Sequence, residues 1–219
     1  MKNLKILITG CGKSGTEYTA RLLSKSGCKT GHETVNDSCY GISSWPMAAQ
    51  DDECPWGPTY SKCKFTYVLH QVRNPLKVIP YYPTNESKQF MIKHIGNQYS
   101  NDEILFSMRY WYEWNLKAES ISNWTYQIEK ISPYYPTVVK TFIEKLGSPP
   151  CLDIKYLEKN IRKMSTSIGT RYTRGSSRVE RGEIPLNRPQ TTWKQLINKD
   201  NKLAQNIMDL AKKYGYEIH

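Results

Sequence analysis

Apolar residues open the chain almost without interruption. "LKILIT" (4–9) sets Leu4, Ile6, Leu7 and Ile8 together with no polar face, the pattern of a strand buried on both sides. The period then changes. Over 16–26, Tyr18, Leu22 and Leu23 fall on one side of a helix, and Gly27 stops it. "FTYVLHQV" (65–72) reads as another strand, ended by Arg73-Asn74-Pro75. Residues 101–120 carry Ile104, Met108 and Trp111 at helical spacing behind an acidic first turn, Asn101-Asp102-Glu103. "WTYQIEKI" (124–131) alternates as a strand does. "PTVVKTFIEKLG" (136–147) has proline at its head and glycine at its foot, the punctuation of a helix. A last helix is predicted over 201–214, with Leu203, Ile207, Leu210 and Tyr214 on one face.

Strands that alternate with helices predict an α/β fold with a central, mainly parallel sheet flanked by helices. No repeat, low-complexity tract or linker divides the chain, so residues 1–219 are expected to form a single domain. Ligands of such folds sit beyond the carboxyl ends of the strands. The glycine-rich residues 10–15 and Arg73 both follow strand ends, so both should face one crevice.

Composition narrows the class. Hydrophobic residues make up 38% of the chain, and no apolar run approaches the ~20 residues of a membrane span. "MKNLKILITG" lacks the apolar core and cleavage site of a signal peptide. A soluble, cytoplasmic protein is expected, in which the two Asn-x-Ser/Thr matches at Asn85 and Asn123 are accidental. The six cysteines show no CxxC pair, and in a reducing compartment they should stay free thiols. With the histidines (32, 70, 94 and 219) they form no ligand pattern, so no metal is expected. The net charge of +11 suits an anionic partner. Nucleic acid, an acidic membrane surface and a highly charged small ligand all fit that charge, but the lysines are scattered and no nucleic-acid-binding signature accompanies them, so nucleic acid is not expected.

The stretch "ITGCGKSGTEYTARLL" (8–23) is where such a ligand would bind, and three phosphate motifs partly fit it. A Walker A loop needs a glycine at position 7, where Leu7 stands inside the strand. A dinucleotide fingerprint is matched literally by Gly10-Cys11-Gly12-Lys13-Ser14-Gly15, with Glu33 at about the distance of the acidic residue that holds a ribose. The preceding "CKTGH", however, is polar where that fold has an apolar strand, and the chain is short for a dehydrogenase. In the third reading the motif starts at Lys13-Ser14-Gly15-Thr16. Amides at the helix N-terminus point at a phosphosulfate, the helix dipole favours its charge, and the Ser14 and Thr16 hydroxyls and the Lys13 ammonium add to the grip.

"KSGTEYTARLL", followed by "GHE" (31–33), "SW" (44–45) and "VLHQVRNPLKVI" (68–79), resembles the sulfotransferases that use 3′-phosphoadenosine 5′-phosphosulfate (PAPS). The resemblance extends more weakly to "YWYEWN" (110–115), "YQIEKI" (126–131) and the closing "TTWKQL…AKKYGY". It implies a P-loop-like sulfotransferase fold. PAPS is then the donor, adenosine 3′,5′-bisphosphate the product, and no metal takes part. The turn from Gly12 through Lys13, Ser14, Gly15, Thr16 and Glu17 to Tyr18 would bind the 5′-phosphosulfate and Arg73 the 3′-phosphate. Tyr81 stands where the family usually has a serine, eight residues after this arginine.

For transfer, the resemblance implies a base that takes the acceptor proton, and Glu33 is the candidate, with His32 as the alternative. Adjacent residues of an extended segment point to opposite sides, so only one of the two should face the sulfur. Lys13 would stabilise charge on the leaving oxygen. "GTRYTRGSSRVERG" (169–182) reads as a long basic loop, and Arg174-Gly175 match the family's nucleotide-closing loop. Trp45, Trp111 and Trp114 are candidates for lining the pocket of the acceptor, a hydroxyl compound, either a small molecule or a glycan. An NAD(P)-binding oxidoreductase and a non-catalytic nucleotide-binding module remain as alternative functions.

Overall fold

The apolar run at the start of the chain becomes β1 (Lys2–Thr9), the middle strand of a five-stranded sheet. The computed structural model describes residues 2–34, 39–54, 56, 60–81, 83–98, 101–132, 134–165 and 191–218. Besides β1 the sheet holds β2 (Thr30–His32), β3 (Gly41–Ser43), β4 (Cys63–Val72) and β5 (Trp124–Gln127), in the order β2-β3-β1-β4-β5. Every pairing is parallel. Because β1 is flanked on both edges and both faces, its lack of alternation follows: Ile6 and Ile8 pack to one side and Leu7 to the other.

Helices cover both faces. On the Ile6/Ile8 side, α1 (Thr16–Lys25) packs Leu22 and Leu23 against the sheet. On the other side lie α2 (Pro75–Val78), α3 (Asn85–Ile95) and the long α4 (Glu103–Ser120), which brings Phe106, Met108, Trp111 and Trp114 into the core. Asp102 caps α4 by accepting the backbone N–H groups of Ile104 and Leu105. Returning to the first side, α5 (Pro136–Lys145) and α6 (Ile154–Ser165) join α1. Finally α7 (Trp193–Lys199) and α8 (Asn201–Lys213) pack beside α4, with Ile207 and Leu210 buried. An α/β architecture with a parallel sheet between helical layers is what the alternating pattern predicts. Among the described residues, no helix is long and apolar enough to cross a membrane.

Three local expectations are revised. The strand expected over 124–131 ends at Gln127 and continues as a 3-10 turn over Ile128–Lys130. Its neighbour β4 pairs with it only as far as Val72. Beyond that Arg73-Asn74-Pro75 turns into α2, and Pro75 has no N–H to offer a ladder. The polar "TGH" forms β2, although it has no strand pattern, because β3 supplies its partner. Lastly, the six cysteines are not all free. Cys28, just past α1, is paired with Cys151, just before α6, as a disulfide with a Cα–Cα distance of 5.3 Å. The expectation that all six cysteines stay free thiols, which rested on a reducing compartment, is corrected at this pair.

Candidate functional site

β1 ends at Thr9, and the chain crosses the carboxyl edge of the sheet in a tight turn before α1. Packing sets the first part of this turn. A Cβ on Gly12 would lie 2.7 Å from the Tyr110 hydroxyl, and the Gly12 N–H donates to that same oxygen at 2.7 Å. Lys13 and Gly15 then adopt left-handed backbone, φ 69° and φ 100°. That is easy for glycine, and about 1–2 kcal/mol uphill for lysine. Contacts from the end of β4 hold the strained turn: Arg73 Nη1 donates to the Lys13 carbonyl at 3.0 Å and Gln71 Nε2 to the Ser14 carbonyl at 2.8 Å. α1 begins at Thr16, where the first-turn N–H groups of a helix have no intrahelical acceptor.

A cleft of about 250 Å³ opens on this turn. Gly12, Lys13, Gly15, Thr16 and Glu17 form its floor, and Glu17 also pairs with Arg21 at 2.5 Å. Ser14 is not part of the wall. Its side chain is buried, its hydroxyl has no hydrogen-bond partner among the described residues, and its N–H donates to the Cys11 carbonyl at 3.1 Å. The expectation that the Ser14 hydroxyl lines the ligand site is therefore not matched by the cleft's lining. The Tyr18 side chain likewise turns away, packed against the Leu22/Phe142 cluster, where burial pushes its phenol up to about 12.

His32 and Glu33 both enter the cleft. The expectation that neighbours on an extended segment point apart fails here for a local reason. Glu33 lies just past β2 in left-handed backbone, φ 56°, which breaks the alternation. Its N–H donates to the Ser43 carbonyl at 3.1 Å and anchors the bend. His32 Nε2 lies 3.7 Å from Glu33 Oε1 and 3.3 Å from Thr16 Oγ1. Burial raises the Glu33 carboxyl above the usual carboxylate range, while the charges of His32 and Lys13 and a hydrogen bond from the Trp45 side chain pull it back. Trp45 is the aromatic wall beside this carboxylate, with its carbonyl accepting Trp114 Nε1 at 2.9 Å.

Trp111 and Trp114 do not line the cleft. Both are fully buried, and Trp111 Nε1 donates to the Arg73 carbonyl at 3.2 Å. Their helix presents a different aromatic, Tyr110, to the cleft. Helical geometry decides this: only one residue of three consecutive aromatics can point at the turn. Tyr81, the α3 cap Thr84, and Ser87 and Met91 of α3 also line the cleft. Pattern reading passed over α3 and Gln71 alike, although a polar residue in an apolar strand beside Arg73 was a usable signal.

Arg73 is not among the residues that line the cleft, although its guanidinium reaches the turn at the Lys13 carbonyl. Around it the chain is fastened by Glu129, which accepts the Asn74 N–H at 3.1 Å and the Tyr216 hydroxyl at 2.9 Å. Arg174 and Gly175 fall outside the described residues. Among the described residues, no three His, Cys, Asp or Glu side chains gather as a metal site would require.

No protein-family model and no curated protein matches the chain. Among solved structures, a mouse sulfotransferase, SULT7A1, complexed with PAP matches with a TM-score of 0.42 and 11% sequence identity, covering 97% of this chain and 90% of that one.

Proposed function

We propose that the protein is a sulfotransferase that moves a sulfonate group from PAPS to a hydroxyl acceptor. The observation that carries this reading is the gathering of three groups around one turn. The Lys13 loop and the Glu33 carboxylate share the cleft, and Arg73 Nη1 donates to the Lys13 carbonyl of the same loop at 3.0 Å. The amides at the N-terminus of α1 receive the 5′-phosphosulfate and Arg73 the 3′-phosphate. The acceptor lies against Trp45 with its hydroxyl toward Glu33.

In the transfer, the acceptor oxygen forms a bond to sulfur as the bond from sulfur to the bridging phosphate oxygen breaks. The acceptor proton passes to Glu33, with His32 alongside to stabilise or relay it. Charge that develops on the bridging oxygen is met by Lys13 and the α1 amides. Tyr81 supplies a wall residue where the resembling family has a serine.

Two observations weigh against the dinucleotide reading. In that fold the second strand sits directly beside the first, whereas here β3 separates β2 from β1. The close approach at Gly12 is also already accounted for by Tyr110 rather than by a pyrophosphate.

The test compares thermal unfolding with adenosine 3′,5′-bisphosphate, NAD and ATP, then follows labelled sulfonate from PAPS to phenolic and sugar hydroxyls. Bisphosphate at about 100 times its dissociation constant is expected to add about 2.7 kcal/mol of stability. Stabilisation by NAD instead would overturn the proposal. Binding without transfer to any acceptor would leave a nucleotide-binding module.

A further inference from the structure

Gln71 sits near the end of β4 and is fully buried, yet every polar atom of its side chain is engaged. Nε2 donates to the Ser14 carbonyl at 2.8 Å. Oε1 accepts the Thr19 hydroxyl at 2.5 Å and the Tyr126 hydroxyl at 2.7 Å. The orientation of the amide is fixed by chemistry, because a carbonyl can only accept and the nitrogen must face it. One side chain thus ties β4, β5 and α1 to a single peptide of the anion-binding turn.

That peptide has a polarity. In a trans peptide the C=O and the next N–H point in opposite directions. With the Ser14 carbonyl drawn back to Gln71, the Gly15 N–H is turned the other way. Gly15 forms part of the cleft wall, and Gln71 Nε2 lies behind it, 3.3 Å from where a Cβ on Gly15 would be. Arg73, just past the end of β4, holds the preceding Lys13 carbonyl, and the Ser14 N–H of that peptide donates to the Cys11 carbonyl. A flip of the Ser14–Gly15 peptide would put a carbonyl oxygen, carrying partial negative charge, where an anionic ligand has to sit. The left-handed backbone at Lys13 and Gly15 makes such flips accessible, since neither residue is in a broad energy well.

We infer that Gln71 is a positioning residue: by holding the Ser14 carbonyl it keeps the Gly15 N–H aimed into the cleft and so sets the affinity of the turn for the 5′-phosphate end of a nucleotide. This rests on the nucleotide-binding reading above and adds to it the group that presets the loop. Gln71 touches no ligand, and its effect runs entirely through the peptide.

The prediction is confined to one end of the ligand. Adenosine 3′,5′-bisphosphate and adenosine 3′-monophosphate differ only by the 5′-phosphate, so their affinities are measured by calorimetry on wild type, Gln71→Met and Tyr126→Phe. In Gln71→Met the bisphosphate is expected to weaken by about tenfold or more, the worth of one hydrogen bond to a charged group, with the 3′-monophosphate nearly unchanged. Tyr126→Phe removes a partner of Oε1 but leaves Nε2 in place, so both affinities should hold while stability falls. If Gln71→Met does not fold, Gln71→Glu keeps the acceptor for both hydroxyls and is read by the same ratio of affinities. Equal losses for both nucleotides, or no loss, would overturn the positioning role alone. Wild-type protein that binds neither nucleotide would overturn the underlying reading and this role with it.

Discussion

Glu33 is the residue on which the proposed chemistry turns, and its surroundings make two measurable statements. Glu33→Gln keeps the shape and the Trp45 contact while removing the base, so donor binding should survive and turnover should fall by about 10²-fold or more. Near-normal turnover would remove Glu33 from the mechanism. The second statement concerns pH. Burial raises this carboxyl, so it takes up a proton at a higher pH than an exposed glutamate does. The base is active only when deprotonated. The rate should therefore fall as pH drops through the raised value, with the acid limb above the ordinary range near pH 4.5. A limb at or below that value would contradict the role. Lys13→Ala is expected to lose more in turnover than in donor affinity, since its charge is needed most when the bridging oxygen leaves. At this scale the nearness of Lys13, Glu33 and Arg73 to one turn was legible, because Lys13 sits in a glycine-rich motif and Arg73 follows a strand end. The joint entry of His32 and Glu33 was not, since it depends on one backbone dihedral that no residue type dictates.

Among the elements, the turn between β1 and α1 is built as much by β4 and α4 as by its own residues. Gly12→Ala tests this. The added methyl would meet the Tyr110 hydroxyl at 2.7 Å and press on a helix whose aromatic face is already packed. A destabilisation of about 1–3 kcal/mol is expected by denaturant unfolding, with weaker bisphosphate binding alongside. An unchanged midpoint would mean that α4 can yield. β1, β4, α1, α4, α5 and α8 were readable from apolar spacing because each has enough length to show a period. β2 and β3, three residues each, were not. They are strands because a neighbour completes their ladder, which is a property of the sheet and not of their composition.

Taken as a whole molecule, two features couple distant parts of the chain. The Cys28–Cys151 bond closes a loop across a sequence separation of 123 residues. A cross-link of that span is worth about 4–5 kcal/mol through the unfolded chain. Reductant should lower stability by that order in wild type and have no effect on Cys151→Ser. The other feature is His70, fully buried between Asn115 and Thr125 against the Tyr214 ring. Burial lowers its pKa from 6.5 to about 4. The unfolded chain takes up this proton below about pH 6.5 and the fold does not until about pH 4, so His70 withdraws up to about 3 kcal/mol of stability across that window as pH falls. Unfolding followed from pH 7 to pH 4 should show that slope in wild type and a shallower one in His70→Gln.

What the sequence determined by itself is the local grammar of the protein. An apolar run with no period makes a central strand, glycines mark where the chain must turn, and a lysine-serine-glycine-threonine run opens a helix. These follow from backbone sterics and from hydrogen bonds closed within a few residues. Only the tertiary structure decided which side chains meet. It buried Trp111 and Trp114 and sent Tyr110 to the cleft, joined Cys28 to Cys151, placed β3 between β1 and β2, and brought Gln71 and Arg73 onto the carbonyls of the turn. Each of these depends on packing and hydrogen bonding between residues far apart in the chain, where the outcome is set by the competition of whole layers for burial and not by any stretch that can be read alone.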